Sequence, residues 1–319
     1  MIAAALSFSP QAVAEPVHHG VAAGRLVVSQ VPGLDDNTNA VVTLAQSINN
    51  FQIGSYNRGD YAVRIGVGML AAEDSARGVL MASVAENGRN NFGTNGYPTC
   101  SMEGNSAGAL RISTALGGSG GEYNVNVAGA WFPYDRYLAG WARNANAING
   151  GTNDLLTASP GIVLGTHFRG VASGRSVVDL RSFGVDARQD GVLLVTHGKD
   201  EGNFALSQVN PVDGTWNVFV RDNAQATYSK YEQDPVAFVF IPKTNAALIS
   251  GRFNGDGSID LFSGVSPRFS VTNIGTGRWL LRMRGYTPAE GVLIISAEGG
   301  GSLNGDNVVS STALYGGTW

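Results

Sequence analysis

The sharpest catalytic string in this chain is Gly104-Asn105-Ser106-Ala107-Gly108, a formal G-x-S-x-G. In α/β-hydrolases that serine sits on a strained turn between a buried strand and a helix, with its oxygen exposed to a histidine base. The required surroundings are missing here. Tyr97-Pro98-Thr99-Cys100-Ser101-Met102-Glu103 does not read as a buried strand, no strand-helix alternation surrounds the string, and no His-Gly-Gly segment lies upstream. His167 and His197 are the histidines available as a base, and both fall in segments that read as strand or loop. The plainer reading is a Gly/Ser-rich loop spanning Glu86 to Arg111. A serine esterase acting through Ser106 therefore ranks third among the functions considered.

Metal chemistry has one candidate. Asn254, Asp256, Ser258 and Asp260 place oxygen side chains at alternate positions around Gly255 and Gly257, as calcium loops do. Aligned on Gly257 as an EF-hand-type loop, however, the first ligand would be Arg252 and the twelfth Ser263, and neither fits. A hairpin turn explains the pattern, and a weak structural Ca²⁺ is the only cofactor the sequence suggests. Asn304-Gly305-Asp306-Asn307 is a second, shorter oxygen cluster. The histidines (His18, His19, His167, His197) show no ligand spacing, and the lone Cys100 rules out a disulfide framework and a multi-cysteine metal site.

Carbohydrate recognition is the second functional reading. Trp131, Tyr134, Asp135, Arg136, Tyr137 and Trp141 form the densest cluster of aromatic and polar residues, a composition that can stack on a sugar and hydrogen-bond it. The competing reading is that these rings cap a core with only their polar edges wet. A glycosidase would need two carboxylates facing each other across a cleft, and no pair can be assigned. Gly117 to Gly121 lacks the lysine and helix of a phosphate-binding loop.

The bulk composition narrows the classes. At 319 residues, 43% apolar and 14% charged, the chain is long enough for a sizeable core and too apolar to be disordered. The 44 glycines suit many short strands joined by tight turns. Net charge is −4 and spread out, lysine occurs only at Lys199, Lys230 and Lys243, and there is no basic stripe of the kind that would neutralise phosphates. Nucleic acid is not an expected partner. Ile2 to Phe8 followed by Ala12-Val13-Ala14 resembles the tail of an export signal, although a basic leader region is missing. The expected location is secreted or at a bacterial cell surface. No stretch reaches the apolar length of a membrane span.

The elements that would position any site repeat along the chain. Gly78-Val79-Leu80-Met81-Ala82-Ser83 returns as Gly191-Val192-Leu193-Leu194-Val195-Thr196 and Gly291-Val292-Leu293-Ile294-Ile295-Ser296, spaced 113 and then 100 residues. A second motif runs through Gly121 to Val127, Gly214-Thr215-Trp216-Asn217-Val218-Phe219-Val220 and Gly317-Thr318-Trp319. Gly174-Arg175 and Gly277-Arg278 open a third, with Tyr61 to Ile65 as the first unit's counterpart. Such self-similarity marks an array of supersecondary units. Short strands between Asn/Gly/Asp turns make the fold all-β, in tandem β-sandwich or jelly-roll-like units of about 100 residues. Asp36 to Asn49 is the one helical candidate. A strand is preferred there, with Ala40 to Leu44 matching Val236 to Phe240.

The expected divisions are 1–20 (signal remnant or N-terminal strand), 21–142, 143–242 and an incomplete third unit at 243–319. The third unit lacks a counterpart of Val236 to Ile241, which would leave an open edge. Three explanations stay open: a fragment of a longer protein, completion by the chain's own N-terminal strands Arg25 to Gln30 and Ala40 to Leu44, or completion of a neighbour by those strands in a head-to-tail fibre.

Gly191-Val-Leu-Leu-Val, Asp213 to Asp222 and Ala237-Phe-Val-Phe-Ile-Pro242 together resemble repeats of long secreted bacterial surface proteins of uncharacterised function, over roughly residues 60 to 319. The resemblance implies an extracellular, repetitive and non-catalytic role and carries over no active-site residue. The expected function is structural or adhesive, with self-association or neighbouring repeats as partners and extracellular polysaccharide as the alternative.

Overall fold

The computed structural model describes residues 2–7, 20–29, 41–65, 76–85, 98–104, 110–116, 122, 124–143, 154–198, 202–222, 231–299, 309, 311 and 317–319. The fold is all-β. An N-terminal strand β1 (Ile2–Ser7) precedes a first set of eight: β2 (Ala22–Ser29), β3 (Val41–Ile48), β4 (Phe51–Asn57), β5 (Asp60–Ile65), β6 (Gly78–Val84), β7 (Pro98–Gly104), β8 (Leu110–Leu116) and β9 (Val127–Pro133). A second set follows as β10 (Leu138–Arg143), β11 (Asp154–Ala158), β12 (Phe168–Ala172), β13 (Arg175–Val178), β14 (Gly191–His197), β15 (Phe204–Val209), β16 (Trp216–Arg221) and β17 (Pro235–Pro242). The third comprises β18 (Ile249–Phe253), β19 (Ile259–Phe262), β20 (Phe269–Gly275), β21 (Arg278–Met283) and β22 (Gly291–Ser296).

Each set builds the same two layers. One layer runs β3-β2-β9-β6 in the first set and β11-β10-β17-β14 in the second; in the third it runs β19-β18-β1-β22. The other layer runs β4-β5-β8-β7, then β12-β13-β16-β15, then β20-β21. In the third set β1 occupies the position beside β22. Register is identical in the three cases: Gly78 pairs Pro133, Gly191 pairs Pro242, and Gly291 pairs Ser7. The third layer is thus completed within the chain by Ile2–Ser7, a segment upstream of the strands the sequence had suggested. The counterpart of Trp216 is Trp319, whose backbone exchanges two hydrogen bonds with Leu281 (2.7 and 2.9 Å) just as Trp216 pairs Val178.

Glycine-led runs recur because they are buried on both faces. Every residue of β6 and of β14 is buried, so neither shows the alternation of a half-wet strand. Leu193 and Val195 point into their own sandwich, as Leu293 does in the third. Val79, Met81, Val192, Leu194, Val292 and Ile294 belong to one shared core. The strands β6, β14 and β22 approach one another, and each also touches one neighbouring layer in the same cyclic sense: β6 with β17, β14 with β1, and β22 with β9. This is an approximate three-fold arrangement around a common axis. Parallel backbone bridges tie the sets at the ends of these strands: His197 with Ser101, Glu298 with Ser207, and Ser311 N–H to the Val84 carbonyl at 3.0 Å. The first of these fuses two layers into one eight-stranded sheet.

Two further repeats are spatial. Gly24, Gly140 and Gly251 occupy equivalent places on β2, β10 and β18, each against an aromatic ring. A Cβ on Gly24 would lie 2.4 Å from Phe51, on Gly251 2.4 Å from Phe269, and on Gly140 2.9 Å from Phe238, which stacks on Phe168. Gly59, Gly174 and Gly277 take positive φ (75°, 57° and 68°) at the turns before β5, β13 and β21, a conformation that favours glycine.

Several sequence expectations are corrected. The 142/143 division falls inside β10, which pairs β11 and β17. The segment 36–49 is extended over Val41–Ile48, but β3 is the hairpin partner of β2 and corresponds to β11 and β19, not to β17. The place of Trp216 to Val220 in the first set is taken by β8, whereas Val127 begins the counterpart of β17. Truncating the shared core should be costly: Leu194→Ala is expected to lower unfolding free energy by about 2–5 kcal/mol, read from denaturant midpoints at constant slope.

Candidate functional site

The three buried runs end on a ring of hydroxyls. Ser83, Thr196 and Ser296 are equivalent residues on the axis side of β6, β14 and β22, each 5% exposed or less. Thr196 Oγ1 donates to the Ala82 carbonyl (3.1 Å) and accepts from its N–H (3.2 Å), and Ser296 Oγ donates to the Val195 carbonyl (3.3 Å). Ser83 Oγ, third in the cycle, has no hydrogen-bond partner among the described residues. Beside the ring is a cavity of about 50 Å³ lined by Ser83, Thr196, His197, Leu206, Ser296 and Val309, among others. That volume holds a few waters and not a sugar ring.

One repeat departs from the others at this end. The position of Val84 and Ala297 carries His197 in the second set, 1% exposed. Its Nε2 lies 3.1 Å from Asp234 Oδ2, which also accepts from Asn203 Nδ2 at 2.7 Å. A carboxylate only accepts, so Nε2 donates to it, and Nδ1 is buried with no hydrogen-bond partner among the described residues. A histidine oriented by an aspartate is the base half of a catalytic triad, but no nucleophile is within hydrogen-bond reach of Nδ1 among the described residues. The cluster reads as a polar tie between β14 and the start of β17.

The sequence-selected residues fare differently. Trp131, Tyr134 and Tyr137 are 8%, 6% and 4% exposed, and Trp141 is half-buried against the shared core. Tyr137 meets Phe132 edge-on at 5.2 Å. Tyr134 Oη bonds Thr157 Oγ1 at 2.6 Å, and Asn245 Nδ2 donates to Tyr137 Oη at 3.3 Å. Burial pushes both phenols above their ordinary range. Only Asp135 and Arg136 stand exposed at the turn from β9 to β10. These rings are packed and not presented, which corrects the sugar-platform assignment. The cluster exists because the chain turns here from one sandwich into the next.

At the proposed calcium turn the oxygens are already engaged. Asp256 Oδ1 accepts from Ser258 N–H (2.8 Å) and Oγ (2.6 Å), Asn254 Nδ2 donates to Ser258 Oγ (3.0 Å), and Asp260 is turned onto Arg252 (2.6 Å). The bonds to Ser258 hold the Asp256 carboxyl below its usual range. No group of three His, Cys, Asp or Glu able to hold a metal occurs among the described residues. Ser106 lies outside those residues. The strands flanking it, β7 and β8, are antiparallel partners joined at Gly104 and Leu110, so the string connects a hairpin and not a strand to a helix. Contrary to the sequence reading, Pro98–Gly104 is a strand.

The composition-level view of the charges also needs revision. Arg278 and Arg282 are exposed on the side of β21 opposite the buried Leu281 and Met283, and Arg284 is exposed in the turn that follows. Arg268 sits across from Arg284, whose N–H donates to the Arg268 carbonyl at 2.7 Å. Alternation along the strand hid this face in the sequence. No family model, curated protein or solved structure matches the chain, and the functional reading rests on geometry alone.

The hydroxyl ring gives an asymmetric expectation. Thr196→Val should destabilise by about 1 kcal/mol, since it removes a bonded hydroxyl, whereas Ser83→Ala should be neutral or slightly stabilising. Urea denaturation of the two variants checks this. Likewise, His197→Val should cost about 1–3 kcal/mol by leaving Asp234 short of a donor, and Asp234→Asn in the same chain should recover part of it, measured as a double-mutant cycle.

Proposed function

We propose that the chain is a non-catalytic structural β-repeat protein of the bacterial cell surface or exterior, a rigid three-part core that presents loops and associates with copies of itself through β1. The observation that carries this reading is the position of Ile2–Ser7. It pairs with β18 over four residues and β22 over six, filling a slot whose counterparts are filled by β9 and β17. Filled from within, the slot closes the molecule. Filled by a neighbour's β1, it makes the same backbone bonds between chains, so exchange changes few contacts.

Fourteen residues separate Ser7 from Ala22, a tether that spans at most about 46–50 Å when extended. With the two segments joined by so few residues the effective concentration is on the order of millimolar, so closure within one chain dominates in dilute solution and exchange grows with crowding. The small axial cavity, the buried aromatics and the internally bonded acidic turn are all consistent with a scaffold. The reading requires that Ile2–Ser7 stay on the exported chain, since a chain cut after Ala14 would lack β1 and expose both facing strand edges.

Deleting residues 2–7 should lower the melting midpoint and promote association, and a synthetic Ile2–Ser7 peptide added in trans should reverse both. Fluorescently tagged β1 should also pass between full-length copies at high protein concentration. A deletion variant that melts unchanged, with no peptide binding and no exchange at about millimolar protein, would refute the reading.

A further inference from the structure

The outer face of the β20–β21 hairpin carries four guanidiniums and no acid. Arg278 and Arg282 project from one side of β21, and just beyond the ladder Arg284 faces Arg268. Between them lie Ser270, paired with Arg282, and Thr272, paired with the half-buried Leu280. The acidic residues of segment 243–299 are all engaged elsewhere. Asp256 caps Ser258, Asp260 and Glu298 face Arg252, and Glu290 accepts from Thr287. The other two cations of that segment are also accounted for, Arg252 by those carboxylates and Lys243 by Asp190 at 3.5 Å. Arg268 has a neutral partner, the Tyr286 hydroxyl at 3.1 Å, with its guanidinium 5.6 Å from that ring. Like charges directly opposite on a ladder destabilise the pair, so this face is held against a local repulsion in a chain whose net charge is −4.

We propose that this face binds a linear polyuronate, an acidic polysaccharide bearing one carboxylate per sugar. Side chains two residues apart on one face of a strand stand about 7 Å from each other. Arg278 and Arg282 therefore offer cationic forks about 13 Å apart along the strand, and Arg284 follows in the turn just beyond it. Arginine matches a planar carboxylate with two parallel hydrogen bonds, which lysine does not. Ser270 and Thr272 supply hydroxyls at the level of the sugar ring. Two other polyanions fit less well. The aromatic ring beside the face, Tyr286, is half-buried and already engaged by Arg268, which leaves a nucleobase a poor stacking platform, and a duplex's charge density is opposed by the net negative chain. A lipid surface is usually engaged through apolar residues that enter the headgroup boundary, and those on this side are Ile274, at the hairpin tip, and the half-buried Leu280. This site is independent of the β1 slot and supplies the chemistry an adhesive role would need.

The test is calorimetric titration of the full chain with polygalacturonate at about 20 mM and about 150 mM salt. Binding is expected at low salt and should weaken at the higher one. The triple variant Arg278→Gln, Arg282→Gln, Arg284→Gln should lose roughly tenfold or more in affinity with its melting midpoint unchanged or raised. Arg64→Gln, an exposed arginine on β5 of another lobe, should bind like the parent chain. Absence of binding by the parent, equal binding by the triple variant, or equal loss in the Arg64 control would overturn the proposal. So would tighter binding of a duplex DNA oligonucleotide or of phosphatidylglycerol vesicles than of the polyuronate.

Discussion

Packing of β6, β14 and β22 against one another is the constraint from which the rest follows. Val79, Met81, Val192, Leu194, Val292 and Ile294 remove one face of each strand from water, and the opposite faces, at Leu80, Leu193 and Leu293, anchor the separate sandwiches. A strand that serves two cores cannot alternate, which is why the run must be apolar throughout. It also cannot end on an unpaired polar group without cost. The hydroxyls of Thr196 and Ser296 meet the neighbouring strand's backbone and close the apolar axis with hydrogen bonds.

Each central strand needs a partner on its outer side, and the chain supplies it by overlap. The strand beside β6 leads directly into the first strand of the next sandwich, as the strand beside β14 does. At the third position β1 fills that place in the same register. The Trp131 to Trp141 segment belongs to the first of these junctions, so its aromatics are structural hinges between lobes. Variation then collects where no lobe depends on it: the outer arginine face of β20–β21 and the connecting loops. The buried His197–Asp234–Asn203 cluster is the exception, a polar insertion where the other two repeats hold Val84 and Ala297.

Much of the fold was legible in the sequence because its signals are local. Glycine before an apolar run, the Gly174-Arg175 and Gly277-Arg278 turns, and the 103-residue interval between Trp216 and Trp319 all map onto equivalent strands. What misled was a choice between two segments of similar local character. Gly121 to Val127 looks like Gly214 to Val220, yet Leu110–Leu116 takes that place because it pairs with both β5 and β7. The glycine–aromatic contacts at Gly24 and Gly251 were invisible because each joins residues on different layers, and that at Gly140 because it joins strands almost 100 residues apart. The aromatic cluster reads the same whether wet or packed, and only the turn at Pro133 decides. The arginine face was missed because its members alternate with Leu281 and Met283, and charge counted along the chain averages that pattern away.

Closure of the third lobe by the chain's own N-terminus is the central claim, and amide hydrogen exchange of the segment Ala3 to Leu6 in the intact protein tests it most directly. Held between β18 and β22, those amides should exchange on the slow timescale of β9 and β17, which fill the equivalent positions. Exchange at the rate of a free peptide, with β22 equally unprotected along its edge, would contradict the account.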